Sequence, residues 1–242
     1  MIDLRQGDCL ELMKDIPEGS VDMVLCDLPY GTTYYCEWDR VIPFEPLWEQ
    51  YLRICKPNSA IVLFGKEPFS SKMRLSNLKM FRYDWIWEKT VAADFAMAKL
   101  RPRQRHEIIS VFYKKQPVYN PQMEPGQPYG RKAGKKRTGI VCLRPGSSLK
   151  NHAREDNPGT RYPSSVQTFS NGNHGSLHPT QKPVALLEYL IRTYTNPGMT
   201  VLDNCMGSGS TGVACINTGR NFIGMELDPG YFEMAKRRIE EA

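Results

Sequence analysis

The sequence contains no apolar run long enough to cross a bilayer, which sets aside a helical membrane protein. Its opening stretch, MIDLRQGDCLELM, carries acids early and has no apolar core segment, so no secretory signal is read there and a cytoplasmic location is expected. Cysteine pairs are missing too. The seven thiols, Cys9, Cys26, Cys36, Cys55, Cys142, Cys205 and Cys215, form no C-x-x-C motif and are odd in number. That pattern argues against a zinc site or a disulfide framework and for reduced, buried thiols; no metal is expected. There is no internal repeat. What remains is 242 residues with 40% hydrophobic and 24% charged side chains, enough for one large α/β domain or one domain with an insertion.

Positive charge is unevenly spread. Between Lys99 and Arg154 stand 14 Lys/Arg against only Glu107 and Glu124, a local balance of +12, while the whole chain carries +6. One segment is strongly basic and the rest mildly acidic. A charge run is often just a solvated loop. Here Tyr113, Tyr119 and Tyr129 interleave with the basic residues, together with many Gly and Pro, which favours a polyanionic partner such as nucleic acid.

Periodicity places short strands at Ile2–Leu4, Val21–Cys26, Ala60–Phe64, Tyr83–Trp87, Ile108–Tyr113, Thr200–Asp203 and Phe222–Glu226. Helices are expected at Cys9–Lys14, Phe44–Cys55, Phe69–Leu78, Pro183–Tyr194, Ser210–Thr218 and Pro229–Glu241, with Lys56-Pro57-Asn58 stopping the second of them. KTVAADFAMAKLRPRQRHE, between two of the strands, reads as a mobile loop. From 114 to 175 proline, glycine, asparagine and basic residues dominate, which points to an inserted irregular region. It separates a first half, 1–113, from a second, 176–242. Alternating strands and helices imply a parallel sheet covered on both faces, with ligands beyond the carboxyl ends of the strands. Asp8, Asp27, Gly65, Asp203 and Glu226 all fall at such ends.

VLDNCMGSGSTGVAC, 201–215, holds Gly207-x-Gly209-x-x-Gly212 between a strand and a helix, with Glu226 at the next strand end. The glycines let backbone approach a cofactor closely, and the glutamate can take two ribose hydroxyls. NAD and S-adenosylmethionine both fit. Asp203 separates them: its charge repels a pyrophosphate and suits an ammonium and a sulfonium. Asp27-Leu28-Pro29-Tyr30 follows the strand Val21–Cys26. The exocyclic amine of adenine or cytosine is a poor nucleophile because its lone pair is delocalised into the ring. A carboxylate and a backbone carbonyl that grip its two N–H bonds free that lone pair, and an aromatic ring can stack on the base. Taken alone, Asp27 could cap a turn and Tyr30 pack on the core; the glycine loop nearby favours the catalytic reading.

Together these residues resemble the amino-group DNA methyltransferases. DLPYG is similar to their Asp/Asn/Ser-Pro-Pro-Tyr/Phe motif, and DNCMGSGSTG to their cofactor loop. HPTQKP at 178–183, GRNFIGMELDPGYFEMAKRRI, GDCLELM and WEKTVAADFAMAKLRPRQRHEIISVFYKK resemble further family segments. The resemblance covers most of the chain and weakens across 114–175. The catalytic motif precedes the cofactor loop, an order that resembles the β group, in which the target-recognition region lies between the two. The implied fold is α/β, a mostly parallel doubly wound Rossmann-like sheet of seven strands, one antiparallel, with Ile2–Leu4 as an edge strand beside Phe222–Glu226, then Val201–Asp203, then Val21–Cys26.

The implied activity is transfer of a methyl group from S-adenosylmethionine to a flipped base in double-stranded DNA, at adenine N6 because an Asp stands first in the motif. N4 of cytosine, a decayed DNA-binding homologue, methylation of RNA or protein, and a nicotinamide-dependent oxidoreductase are the alternatives. By resemblance, Asp27, Leu28, Pro29 and Tyr30 hold the base, while Asp203, Gly207, Ser208 and Gly209 line the methionine part of the cofactor. His178, Thr180 and Lys182 take its carboxylate end, Glu226 its ribose, and Asp8 and Cys9 its adenine. Arg101, Arg103 and Arg105, with Lys132, Lys135, Lys136 and Arg137, are candidates for phosphate contacts that offset the cost of base extrusion. A restriction–modification setting in a bacterial, archaeal or phage-infected cell, and a homodimer, are also consistent with the family. Two departures stand out. Leu28 replaces a proline, which keeps the carbonyl but not the turn's stiffness, and Asn204-Cys205 replaces Pro-Phe.

Overall fold

A computed structural model describes residues 1–31, 40–128, 157–171 and 181–242. In chain order the elements are β1 (Ile2–Gln6), α1 (Cys9–Leu12), β2 (Val21–Cys26), α2 (Phe44–Ile54), β3 (Cys55–Gly65), α3 (Phe69–Ser76), β4 (Phe81–Lys89) and β5 (His106–Phe112). Then follow β6 (Glu124–Pro125), β7 (Thr160–Arg161), β8 (Val166–Phe169), α4 (Val184–Tyr194), β9 (Thr200–Asp203), α5 (Ser210–Thr218), β10 (Asn221–Glu226) and α6 (Pro229–Glu240). The chain forms two compact units, Met1–Asn120 with Ser164–Ala242, and Pro121–Pro163. In the small unit β6 and β7 pair as an antiparallel ribbon, braced by Arg161 and Asn157.

The large unit is built on one sheet in the order β1-β10-β9-β2-β3-β5-β4-β8. Only β5 runs against the rest. β2 shows why the sheet is covered twice. Its residues are almost all buried, and they alternate between two cores. Met23 and Leu25 face the side occupied by α4, α5 and α6, with Val62, Phe64 and Val111. Val24 and Cys26 face α1, α2 and α3, with Ile61, Leu63 and Leu202. A strand clothed on both faces reads as a continuous apolar run, as this one does.

The edge placement of Ile2–Leu4 holds: β1 pairs in parallel with β10, β10 with β9, and β9 with β2. Three local expectations are corrected. The sheet has an eighth strand beyond the expected seven, because Val166–Phe169, inside the stretch read as irregular, adds in parallel to the edge strand β4. A four-residue strand with Gln167 and Thr168 inside it and a serine on either side is too short for its periodicity to register. Lys56-Pro57-Asn58 does not separate helix from strand. β3 begins at Cys55, opposite Val21, and the register slips between Val21 and Met23, where Ser59 donates to the Val21 carbonyl at 2.6 Å. A proline is tolerated at such an irregular strand start. The opening helix is a single α turn followed by a 3-10 turn, Met13–Asp15. No helix of the described residues is long and apolar enough to cross a membrane, and among those residues no cluster of His, Cys, Asp and Glu could hold a metal ion.

Candidate active site

Because β10, β9 and β2 are neighbours running the same way, Glu226, Asp203 and Asp27 lie side by side along one rim of the sheet. They open on a cleft of about 1050 Å³, which is also lined by Asp8, Cys9, Leu28, Pro29, Tyr30, Lys182, Gly207 and Ser208. The geometry therefore brings the glycine loop and the Asp27–Tyr30 segment together. His178, Thr180, Lys132, Lys135, Lys136 and Arg137 lie outside the described residues.

The glycine loop is wired to the acids. Gly207 donates its N–H to Glu226 Oε2 at 2.9 Å, and Asp228 donates to the other oxygen at 2.9 Å. Asp203 accepts from Thr211 Oγ1 at 2.6 Å and from the Cys205 N–H at 3.1 Å. Burial raises both carboxyls, and that of Asp203 rises to about 6. Arg238 of α6 donates to the Ser208 carbonyl and, at 2.9 Å, to its hydroxyl. Gly209 stands behind the cleft as the cap of α5, with φ +79°, and a Cβ there would come within 3.0 Å of Ala235. Only glycine accommodates both that dihedral and that approach. Asp8 caps α1 by accepting from Leu10 at 2.8 Å.

The two departures from the family pattern are built into the packing. Leu28 is buried in the core cluster that contains Cys26 and Phe69, so apolar contact anchors the turn in place of a second proline ring. Asn204 is buried too. Its carbonyl accepts from Tyr51 Oη at 2.6 Å, and its amide lies 3.5 Å from the sulfurs of Cys9 and Cys205.

Asp27 sits in a charged chain that sequence reasoning saw only in part. Tyr30 Oη donates to Asp27 Oδ1 at 2.5 Å, and the tyrosine ring lies 5.0 Å from that of Phe69. Lys182 donates to Asp27 Oδ2 and stands 3.5 Å from Glu107 Oε2, with its ammonium 5.2 Å from the centre of the Phe64 ring. Lys89 reaches the other Glu107 oxygen at 2.5 Å. Burial opposes the charge on Lys182, but Asp27 and Glu107 outweigh it and hold the ammonium above its ordinary range. Burial likewise opposes the charge on Glu107, and Lys182 and Lys89 outweigh it, so this carboxyl lies below its usual range. Burial and then Asp27 push the Tyr30 hydroxyl well up, so it remains a donor. Lys182 thus meets Asp27, whereas the resemblance assigned it to the cofactor's carboxylate end. Glu107 and Lys89 carried no sequence signal of their own. Lys89 reaches the rim as the last residue of β4, and Glu107 does so because β5 is reversed, which sets its first residues, His106 and Glu107, opposite Glu88 and Trp87 near the end of β4.

Arg101, Arg103 and Arg105 lie on the loop between β4 and β5 and are each engaged within it. Arg101 pairs with Asp94 at 3.1 Å, Arg103 donates to the Ala92 and Ala93 carbonyls, and Arg105 donates to the Lys89 carbonyl at 3.0 Å.

A doubly wound sheet with acids and a glycine turn along one rim, and an acid–carbonyl–tyrosine group beside them, defines a Rossmann-like methyltransferase. More narrowly, the chain belongs to the DNA methylase family, whose model matches residues 21–237. It is 29% identical over 250 residues to the type II methyltransferase M.HpaI of Haemophilus parainfluenzae, covering 97% of this chain and 73% of that protein. It is 28% identical over 253 residues to the DNA adenine methyltransferase YhdJ of Escherichia coli strain K12, covering 98% and 82%. The crystal structure of the M1.HpyAVI–SAM complex superposes with a TM-score of 0.66 at 25% identity, covering 98% of this chain and all of that one.

Proposed function

We propose that this protein methylates the exocyclic amine of a base flipped out of duplex DNA, at N6 of adenine within a specific sequence, using S-adenosylmethionine. The observation that carries the reading is the shared rim: Asp27, Leu28 and Tyr30 face the same cleft as Asp203, the glycine loop and Glu226. The cleft suits this cofactor. Glu226 can turn to ribose hydroxyls, Asp203 offers negative charge for an ammonium and a sulfonium, and the Gly207–Ser208 backbone allows close approach. When bound, S-adenosylmethionine supplies an electrophilic methyl carbon on a sulfur leaving group.

The chain's own part is alignment. Asp27 and the Leu28 carbonyl accept the two N–H bonds of the amine, and Tyr30, braced on Phe69, offers a ring to the base. Freed from the ring by that grip, the nitrogen lone pair would be aimed at the methyl carbon that the bound cofactor supplies, and the proton the amine gives up would pass to solvent in the open cleft. Lys182 and Tyr30 fix Asp27 as an acceptor throughout. An aspartate at the first motif position, and a relative named as an adenine methyltransferase, favour adenine.

Expression in methylation-free bacteria, followed by modification-sensitive sequencing, is expected to show N6-methyladenine at one recurring sequence. N4-methylcytosine there would replace the adenine reading, and an unmodified genome would overturn the activity. Asp203 adds a pH test. A carboxyl titrating near 6 is ionised above that pH and protonated below it. Affinity for S-adenosylmethionine is therefore expected to fall by up to roughly tenfold per pH unit below about pH 6. Calorimetric titration of wild type against Asp203→Asn checks this, since the variant binds weakly at every pH and loses the dependence.

A further inference from the structure

We infer that the β4–β5 loop carries an apolar wedge, Phe95 with Leu100, that enters the duplex as the target base leaves it. The inference rests on the DNA-methylation reading above. Phe95 and Leu100 are each 79% exposed. Large apolar side chains at a loop tip stand out among the polar residues that usually solvate one. The loop starts at the rim of the cleft: Lys89 and Ala93 line the cleft, and Asp94 lies 3.7 Å from the cleft residue Lys66.

The tip is held in shape. Asp94 adopts a left-handed conformation, φ +60°, which is uncommon outside glycine, and it leads into a 3-10 turn, Phe95–Met97. Asn171 accepts from Thr90 and Val91, 3.0 Å each, and returns a bond to the Val91 carbonyl. Arg103 clasps the Ala92 carbonyl and places its guanidinium 5.6 Å from the centre of the Phe95 ring. These ties keep an aromatic ring in water rather than letting it fold back onto the surface.

The surroundings specify the partner. Lys99, Arg101, Arg103 and Arg105 flank the apolar tip, and the one acid among them, Asp94, is already paired with Arg101. A hydrophobic tip between cations matches a stack of bases between phosphates, the arrangement of side chains that pry base steps apart. Extruding a base leaves a gap in the stack, and a ring or a branched aliphatic group that fills it opposes the base's return.

The test compares two duplexes carrying the modified sequence found above, one fully paired and one with the target base opposite an abasic position, where little pairing resists extrusion. In the Phe95→Ala/Leu100→Ala variant, transfer on the paired duplex is expected to fall at least about tenfold, and on the abasic duplex by less than about twofold. Phe95→Trp is expected to keep transfer on the paired duplex near wild type. Equal losses on both duplexes, or no loss on the paired one, would overturn the wedge and leave this surface to another partner. A wild-type protein inactive on both would instead overturn the methylase reading.

Discussion

Asp27→Asn is expected to lower methyl transfer by roughly 10²–10³-fold, the usual cost of removing one preorganised polar contact to a reacting group, with S-adenosylmethionine affinity within about threefold of wild type. The wiring of the carboxylate explains both parts. Its two oxygens are engaged by Tyr30 and Lys182, and a carboxylate still has lone pairs left for an amine hydrogen. An amide has one oxygen and one donor group. Turning the oxygen to Lys182 points the NH2 at Tyr30 and at the base; turning it the other way points the NH2 at the ammonium. Either way the grip on the amine is lost, while Glu226, Asp203 and the glycine loop are untouched. Single-turnover transfer of a tritiated methyl group, beside calorimetry with the cofactor, separates the two quantities. Transfer within about threefold of wild type would remove Asp27 from the reaction.

Lys182→Met should be the most destabilising single change in the cleft. It leaves Asp27 and Glu107 facing each other at a largely buried place with no cation between them, and Glu107 keeps only Lys89. Breaking a buried pair in this way costs on the order of 3–5 kcal/mol. In a domain of this size each kcal/mol lowers Tm by roughly 2–4 °C. Adding Glu107→Gln to Lys182→Met is expected to recover part of the loss, because it removes one of the two stranded charges. Thermal unfolding of the single and double variants reads the sign of that coupling. A Lys182→Met protein as stable as wild type would mean that these groups do not bear on one another.

The parts of this site that could be read from the chain were those written in strand periodicity. Val21–Cys26, Thr200–Asp203 and Phe222–Glu226 are short apolar runs that each end in an acid or lead directly into one, and the sheet sets them next to each other. Glu107 stayed invisible because its position depends on which way β5 runs, and an apolar run looks the same in both directions; Lys89, at the end of β4, shows its role only once Glu107 is set beside it. Lys182 was singled out by its motif, but only the packing of Phe64 and Glu107 around it shows which carboxylate it meets. KTVAADFAMAKLRPRQRHE reads as a mobile loop because its residues follow no period. Its order comes from bonds made at a distance in sequence, to Asn171 and Lys66. β8 escaped notice for the same reason: it is a strand only because β4 offers it an unpaired edge.

The pairing of β1 with β10 has a consequence for how such a chain can be written. Met1 reaches Asn221 Oδ1 at 2.7 Å, so the first strand and the last lie together, with α6 packed close by. Read as a ring rather than a line, the molecule has no privileged starting letter. Splicing the last helix to the first strand and beginning synthesis elsewhere would reverse the order in which the two halves of the rim leave the ribosome, yet the same acids would meet around the same hollow.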